Sequence, residues 1–134
     1  MMDCDITGQI VLCEEIEPSY EKKTLSLIHI MNSMVIEAYP SIVLSKILIK
    51  LSHKPNKTYV INIIVEDREG HMLYASPPND IYIEGDPTKT YFNESIADLR
   101  FMVEKSGVYF IKLVLDKTAT LATWPLFIKE RYTS

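Results

Sequence analysis

The chain has 134 residues, 47% of them hydrophobic and 24% charged, with a formal net charge of -4. That balance excludes a disordered chain, and the length suits a single domain, 1–134, with a core of its own. A net negative chain lacks the concentrated positive field that nucleic acid or an anionic membrane surface requires, so neither is expected as a partner.

The start, Met1-Met2-Asp3-Cys4-Asp5, is acidic, and the first apolar run is only Ile10 to Cys13. A secretory signal has a basic start and an apolar run of about 7–15 residues. No stretch is long enough to span a bilayer. The expected location is therefore the cytoplasm. Two cysteines, Cys4 and Cys13, are too few for a disulfide framework and are read as reduced thiols.

Ile6 to Ile16 reads as a first strand, apolar on both faces at Ile10 to Cys13. Pro18-Ser19-Tyr20-Glu21-Lys22 is a turn or short loop. Lys23 to Met31 is a second strand. Its His29 has no neighbour at metal-ligand spacing and is read as a packed or hydrogen-bonded core residue. Met34 to Ile36 is a short strand, and Pro40 turns Tyr39 to extended geometry.

Ser41 to His53 admits two readings. As a helix, Ser41 caps it and Ser45, Lys46 and Lys50 form a polar stripe. As a strand, Val43, Ile47, Ile49 and Leu51 point inward while Lys46, Lys50 and Ser52 point out. The β-branched residues and the turn at Lys54-Pro55-Asn56-Lys57 favour the strand.

Thr58 to Glu66 is a strand with Tyr59, Ile61, Ile63 and Val65 on one face. Asp67-Arg68-Glu69-Gly70 is a hairpin turn, with Gly where positive φ is needed. His71 to Ser76 runs back. Pro77-Pro78-Asn79-Asp80 breaks the pairing, because proline cannot donate to a ladder. Ile81-Tyr82-Ile83 is a short strand, and Thr90 to Val103 carries one strand or two. Val108 to Leu115 is apolar on both faces, with Tyr109, Ile111, Leu113 and Leu115 pointing one way; such a strand sits inside a structure. Asp116-Lys117 is a tight hairpin into Ala119 to Lys129. Pro125 places that last strand at an edge or on a bulge.

Frequent turn signals, few helical candidates and no βαβ alternation predict an all-β domain with little helix. Its expected architecture is a two-sheet antiparallel β-sandwich, immunoglobulin-like in its strand pattern. In such a domain the spacing of Tyr109 after Gly107 predicts a buried ring whose hydroxyl bonds to nearby backbone.

Leu99-x-Phe101, then Gly107-x-Tyr109-x-Ile111-x-Leu113, an acidic hairpin, and a strand ending Trp124-Pro125-Leu126-Phe127-Ile128 resemble a bacterial family of small cytoplasmic proteins of unknown function. Its members begin with a strand like Ile10-Val11-Leu12-Cys13-Glu14. They carry a proline near position 40 and a turn like Asp67-Arg68-Glu69-Gly70. The resemblance spans nearly the whole chain and implies a β-sandwich. It carries no catalytic residues to transfer. The Asp116-Lys117 turn departs from the Asp-Gly usual there.

Recognisable chemistry is sparse. The glycines at 8, 70, 85 and 107 are isolated, so no phosphate loop forms. Cys-x-x-Cys, His-x-x-x-His and Gly-x-Ser-x-Gly are absent. No catalytic residue, metal ligand or cofactor is assigned. Six acids between Glu66 and Asp86 lack the Asp-x-Asp or Asp-x-Asn spacing of a calcium loop and read as a solvated rim. Four lysines between Ala38 and Val65 read as protection of an edge strand.

The expected function is a non-enzymatic binding or assembly module. Strands apolar on both faces leave Val60, Ile64 and Phe110 on an outer face, which loops, a second copy or a protein partner must cover. A C2 dimer is the expected form. The alternative is a small ligand-binding sandwich or enzyme, with Tyr82, Tyr91 and Trp124 at the rim of a pocket. A further alternative is a defence or counter-defence protein of a mobile element, for which no residue argues.

Overall fold

A computed structural model describes residues 5–131. Cys4 lies outside the described residues. Ten strands follow in chain order: β1 (Ile6–Ser19), β2 (Thr24–Ile30), β3 (Ser33–Ile36), β4 (Ser41–His53), β5 (Tyr59–Glu66), β6 (Met72–Ala75), β7 (Asn79–Ile81), β8 (Tyr91–Val103), β9 (Gly107–Leu115) and β10 (Ala119–Glu130). No helix occurs among the described residues. Residues 41–53 are strand, as their β-branched side chains imply.

The strands form two sheets. The first has the order β2-β1-β4-β8. The second has the order β3-β10-β9-β5, with both β6 and β7 paired to the remaining edge of β5. The sheets pack face to face. Between them lie Ile10 and Leu12 of β1, Val43, Ile47, Ile49 and Leu51 of β4, and Leu99, Phe101 and Val103 of β8. Facing these are Tyr59, Ile61, Ile63 and Val65 of β5, Tyr109, Ile111 and Leu113 of β9, and Leu126 and Ile128 of β10. Each set follows the two-residue period of a strand. Burying such a side chain stabilises by about 1.5–3 kcal/mol. Gly8 marks a close approach of the layers: a Cβ there would sit 2.7 Å from Leu113 Cδ2.

Several boundaries differ from the sequence expectation. β1 runs on to Ser19, and the turn moves to residues 20–23. Pro18 is tolerated because β4 pairs with β1 only from Ile6 to Cys13, so the missing N–H has a free side to face. The same reasoning covers Pro125: β3 pairs only with Phe127–Glu130, which leaves one side of β10 open at Pro125. The bulge in β10 lies elsewhere, between Thr120 and Ala122. β3 runs parallel to β10, the one parallel pair among the described residues. β7 covers residues 79–81 rather than 81–83. It continues the line of β6 along β5 after the interruption at Pro77-Pro78. Tyr91–Val103 is one unbroken strand. His29 is not packed in the core. Its φ is 53°, its side chain is exposed, and Nδ1 lies 2.7 Å from Glu14 Oε2.

No helix among the described residues is long and apolar enough to cross a membrane.

Candidate functional site

The outer face of the first sheet follows from the parity of β4. Val43, Ile47 and Ile49 point to the core, so Ile42, Leu44, Lys46, Leu48 and Lys50 point away from it. The antiparallel register with β8 sets Met102 beside Ile42, Arg100 beside Leu44, and Asp98 beside Lys46. It continues with Ile96 beside Leu48, Glu94 beside Lys50 and Phe92 beside Ser52. Leu44 is 64% exposed and Phe92 78%; Ile42, Ile96 and Met102 are also exposed. Leu48 sinks below this surface and packs with buried Cys13 and Ile16 into a second, smaller apolar cluster. Burial raises the Cys13 thiol pKa above its ordinary value.

The charges within this surface are of both signs. Lys46 pairs with Asp98, and that hydrogen bond raises the lysine pKa. Among the described residues, neither Glu94 nor Arg100 has an ion-pair partner in the chain. The sequence carried a signal for this face. Ile42, Leu44 and Leu48 share the parity of Lys46 and Lys50, the residues assigned outward.

The second sheet also has an apolar outer face. Val60, Ile64 and Phe110 lie there, all half-buried. Phe110 sits between Glu66 and Pro125, and Ile64 between Ala75 and Lys112. The Lys112–Glu66 ion pair crosses the face at 2.5 Å. These three side chains are thus partly covered by their own neighbours, unlike Leu44 and Phe92.

A cavity of about 260 Å³ opens between the sheets where β8 faces β6. Its walls are Ile47, Ile49, Ile61, Ile63, Leu99 and Leu113, and Tyr74, Ser76, Asn79 and Asp98 also line it. Ser76 is held in place because its Oγ accepts the backbone N–H of Ile63 at 2.8 Å.

The three aromatics expected at a pocket rim do not meet there. Tyr82 is exposed just after β7. Tyr91 opens β8, and its Oη accepts the N–H of Asp86 at 3.0 Å; a Cβ on Gly85 would lie 2.2 Å from that oxygen. Trp124 packs against the core on β10, and its Nε1 donates to the Met31 carbonyl at 2.8 Å. None of the three lines the cavity at β8 and β6.

At the β5–β6 hairpin, Asp67, Glu69 and His71 bring one potential ligand atom each within 4.8 Å of one another. The Asp67 carboxylate accepts the N–H groups of Glu69 and His71 at 2.9 and 2.8 Å and meets His71 Nδ1 at 3.0 Å. Partial burial pushes the Asp67 pKa up, but these hydrogen bonds outweigh it and hold the carboxyl below its ordinary range. The arrangement is that of a turn closed by an aspartate over Gly70, whose φ is 87°.

In the core, His53 is fully buried. Its Nδ1 lies 3.0 Å from the Lys54 carbonyl, its ring meets Tyr59 edge-on at 5.5 Å, and its Nε2 has no hydrogen-bond partner among the described residues. No observation connects this nitrogen to the cavity.

No protein-family model matches the chain, and no curated protein matches it.

Proposed function

We propose that this domain is a non-enzymatic binding or assembly module that pairs with a second copy of itself through an apolar strand face, as a C2 dimer. The observation that supports this reading is the outer surface of β4 and β8, where Ile42, Leu44, Phe92, Ile96 and Met102 stand exposed. Exposed apolar side chains gathered on one sheet face mark interaction sites, here with charged rungs between them. Interleaved charges of both signs suit an isologous contact, in which a patch meets its own copy. Val60, Ile64 and Phe110 form the second candidate face. The bacterial origin and cytoplasmic setting implied by the resemblance to small sandwich proteins belong to the same proposal. Light scattering from dilute to high micromolar protein tests it. A mass rising from monomer to dimer is expected, and a monomer mass throughout overturns the reading.

The cavity between β8 and β6 favours a second reading, a ligand-binding sandwich. Aliphatic walls with polar groups beside them suit a small, mostly apolar molecule with one hydrogen-bonding end. A thermal-shift series with medium-chain fatty acids and alkyl phenols tests it. A saturable rise in Tm supports the reading, and an unchanged Tm across the series counts against it.

A further inference from the structure

The two sheets have four edges, and they are not alike. β3 has 4 residues. β6 and β7 have 4 and 3, with Pro77-Pro78 between them. β2 has 7 and carries a positive φ at His29. Short strands, prolines and kinks are the usual devices that keep a sheet edge from pairing with another chain. β8 has none of them. It is 13 residues long, has no Pro or Gly, and pairs with β4 residue for residue without a register shift. β8 lies at the end of its sheet, so only one of its sides is paired with another strand. Ser95 is exposed even though its pairing with Ile49 turns it toward the interior, so the strand is open at its middle.

Two outer rungs of β8 are self-complementary. Ala97 is the midpoint of Tyr91–Val103, so a two-fold axis there pairs two antiparallel copies along the whole strand. On the outer face, Ile96 then meets Asp98 of the second copy, Phe92 meets its Met102, and Glu94 meets its Arg100. Glu94 and Arg100 are the two charges on β8 that have no ion-pair partner within the chain among the described residues. On the inner face, Ser95 meets Leu99, Asn93 meets Phe101, and the small Ala97 meets itself. The neighbouring registers that keep each face in place are worse. A centre at Ile96 sets Glu94 against Asp98. A centre at Asp98 sets that carboxylate against its own copy. Like charges directly opposite destabilise a strand pair, and opposite charges support it.

We propose that β8 is the self-association edge: two copies join β8 to β8 antiparallel about Ala97 and form one continuous eight-stranded sheet. The mode is β-augmentation, with main-chain hydrogen bonds giving affinity and the Phe92–Met102 and Glu94–Arg100 contacts giving register. The joined sheets also set the exposed Phe92 beside Met102 at each end of the seam, with the two Ile96 side chains diagonal to each other at its centre. This inference rests on the self-association reading but moves the contact from the outer face to the β8 edge, leaving Ile42 and Leu44 of β4 uncovered; its partner is a second copy of this chain.

A charge-swap mixture tests it by light scattering on the whole chain, with circular dichroism confirming that each variant folds. Glu94→Arg alone sets arginine against arginine twice in the dimer, and Arg100→Glu alone sets glutamate against glutamate twice. Each is expected to weaken dimerisation on the order of tenfold or more. An equal mixture of the two restores it, because the mixed dimer regains both opposite-charge contacts. Wild type that stays monomeric overturns the self-association reading and this inference together. Single variants that dimerise like wild type leave self-association standing and overturn the β8 edge. Weakened single variants that the mixture fails to restore overturn the register about Ala97.

Discussion

The hydroxyl of Tyr109 donates a hydrogen bond to the carbonyl oxygen of Lys105 at 2.7 Å. The bond ties the first turn of the β8–β9 connection to the middle of the core. The ring is buried beside Phe101, with the centroids 6.2 Å apart. Tyr109→Phe removes one hydrogen bond and is expected to cost about 0.5–1.5 kcal/mol. Tyr109→Ala removes the ring as well and is expected to cost about 3–5 kcal/mol. Urea unfolding separates the two. A midpoint shift for Tyr109→Ala no larger than that for Tyr109→Phe contradicts the inward placement of this strand.

The same side chain gives a pH dependence. Burial pushes the Tyr109 phenol above its ordinary value of 10.0, outweighing the pull of the Lys105 hydrogen bond. The folded state therefore holds this proton at a pH where the unfolded state has released it. Stability is unaffected below about pH 10 and falls as pH rises beyond the unfolded value. Unfolding free energy measured between neutral and strongly alkaline pH is expected to fall more steeply in wild type than in Tyr109→Phe. Identical slopes contradict the burial.

The hairpin at Asp116-Lys117 holds two non-glycine residues at positive φ, 51° and 63°. The connection spans residues 116–118 and is closed by the Thr118 N–H donating to the Leu115 carbonyl at 3.1 Å; a turn with positive φ at both central residues favours glycine at the second. Lys117→Gly relieves about 1–2 kcal/mol of left-handed strain and loses roughly 0.5–1 kcal/mol in chain entropy. Calorimetry should show a Tm raised by roughly 2–5 °C. A lowered Tm contradicts the turn geometry.

Ser45 points inward opposite Leu99, and its Oγ is buried without a hydrogen-bond partner among the described residues. An unsatisfied buried hydroxyl costs about 1–3 kcal/mol. Ser45→Ala is expected to raise the urea midpoint, with a gain of about 1 kcal/mol. A lowered midpoint means that the hydroxyl is bonded in solution.

The strands were legible because their signal is local. Alternation in Tyr59–Val65 and Tyr109–Leu113 marks each element and groups the residues that share a face. What was not legible depends on pairing. The parallel β3–β10 contact joins residues about ninety positions apart, and nothing within Ser33–Ile36 marks its partner. Where a strand is apolar on both faces, alternation alone cannot say which face is wet. Val60, Ile64 and Phe110 are partly covered, whereas Leu44 and Phe92 are open, and only the order β2-β1-β4-β8 puts Phe92 on an end strand. The cavity depends on the distance between two sheet edges, which no stretch of sequence encodes. A strand position implies a packed or hydrogen-bonded core place for His29, and the hydrogen bond to Glu14 is there, but at positive φ on an exposed side chain rather than in the core.

The central claim is that this domain assembles with its own copy along β8. Amide hydrogen exchange followed as a function of protein concentration tests it most directly. Amides within Tyr91–Val103 are expected to gain protection as the concentration rises, while those of β2 and β3 do not. Exchange in β8 that is independent of concentration would contradict it.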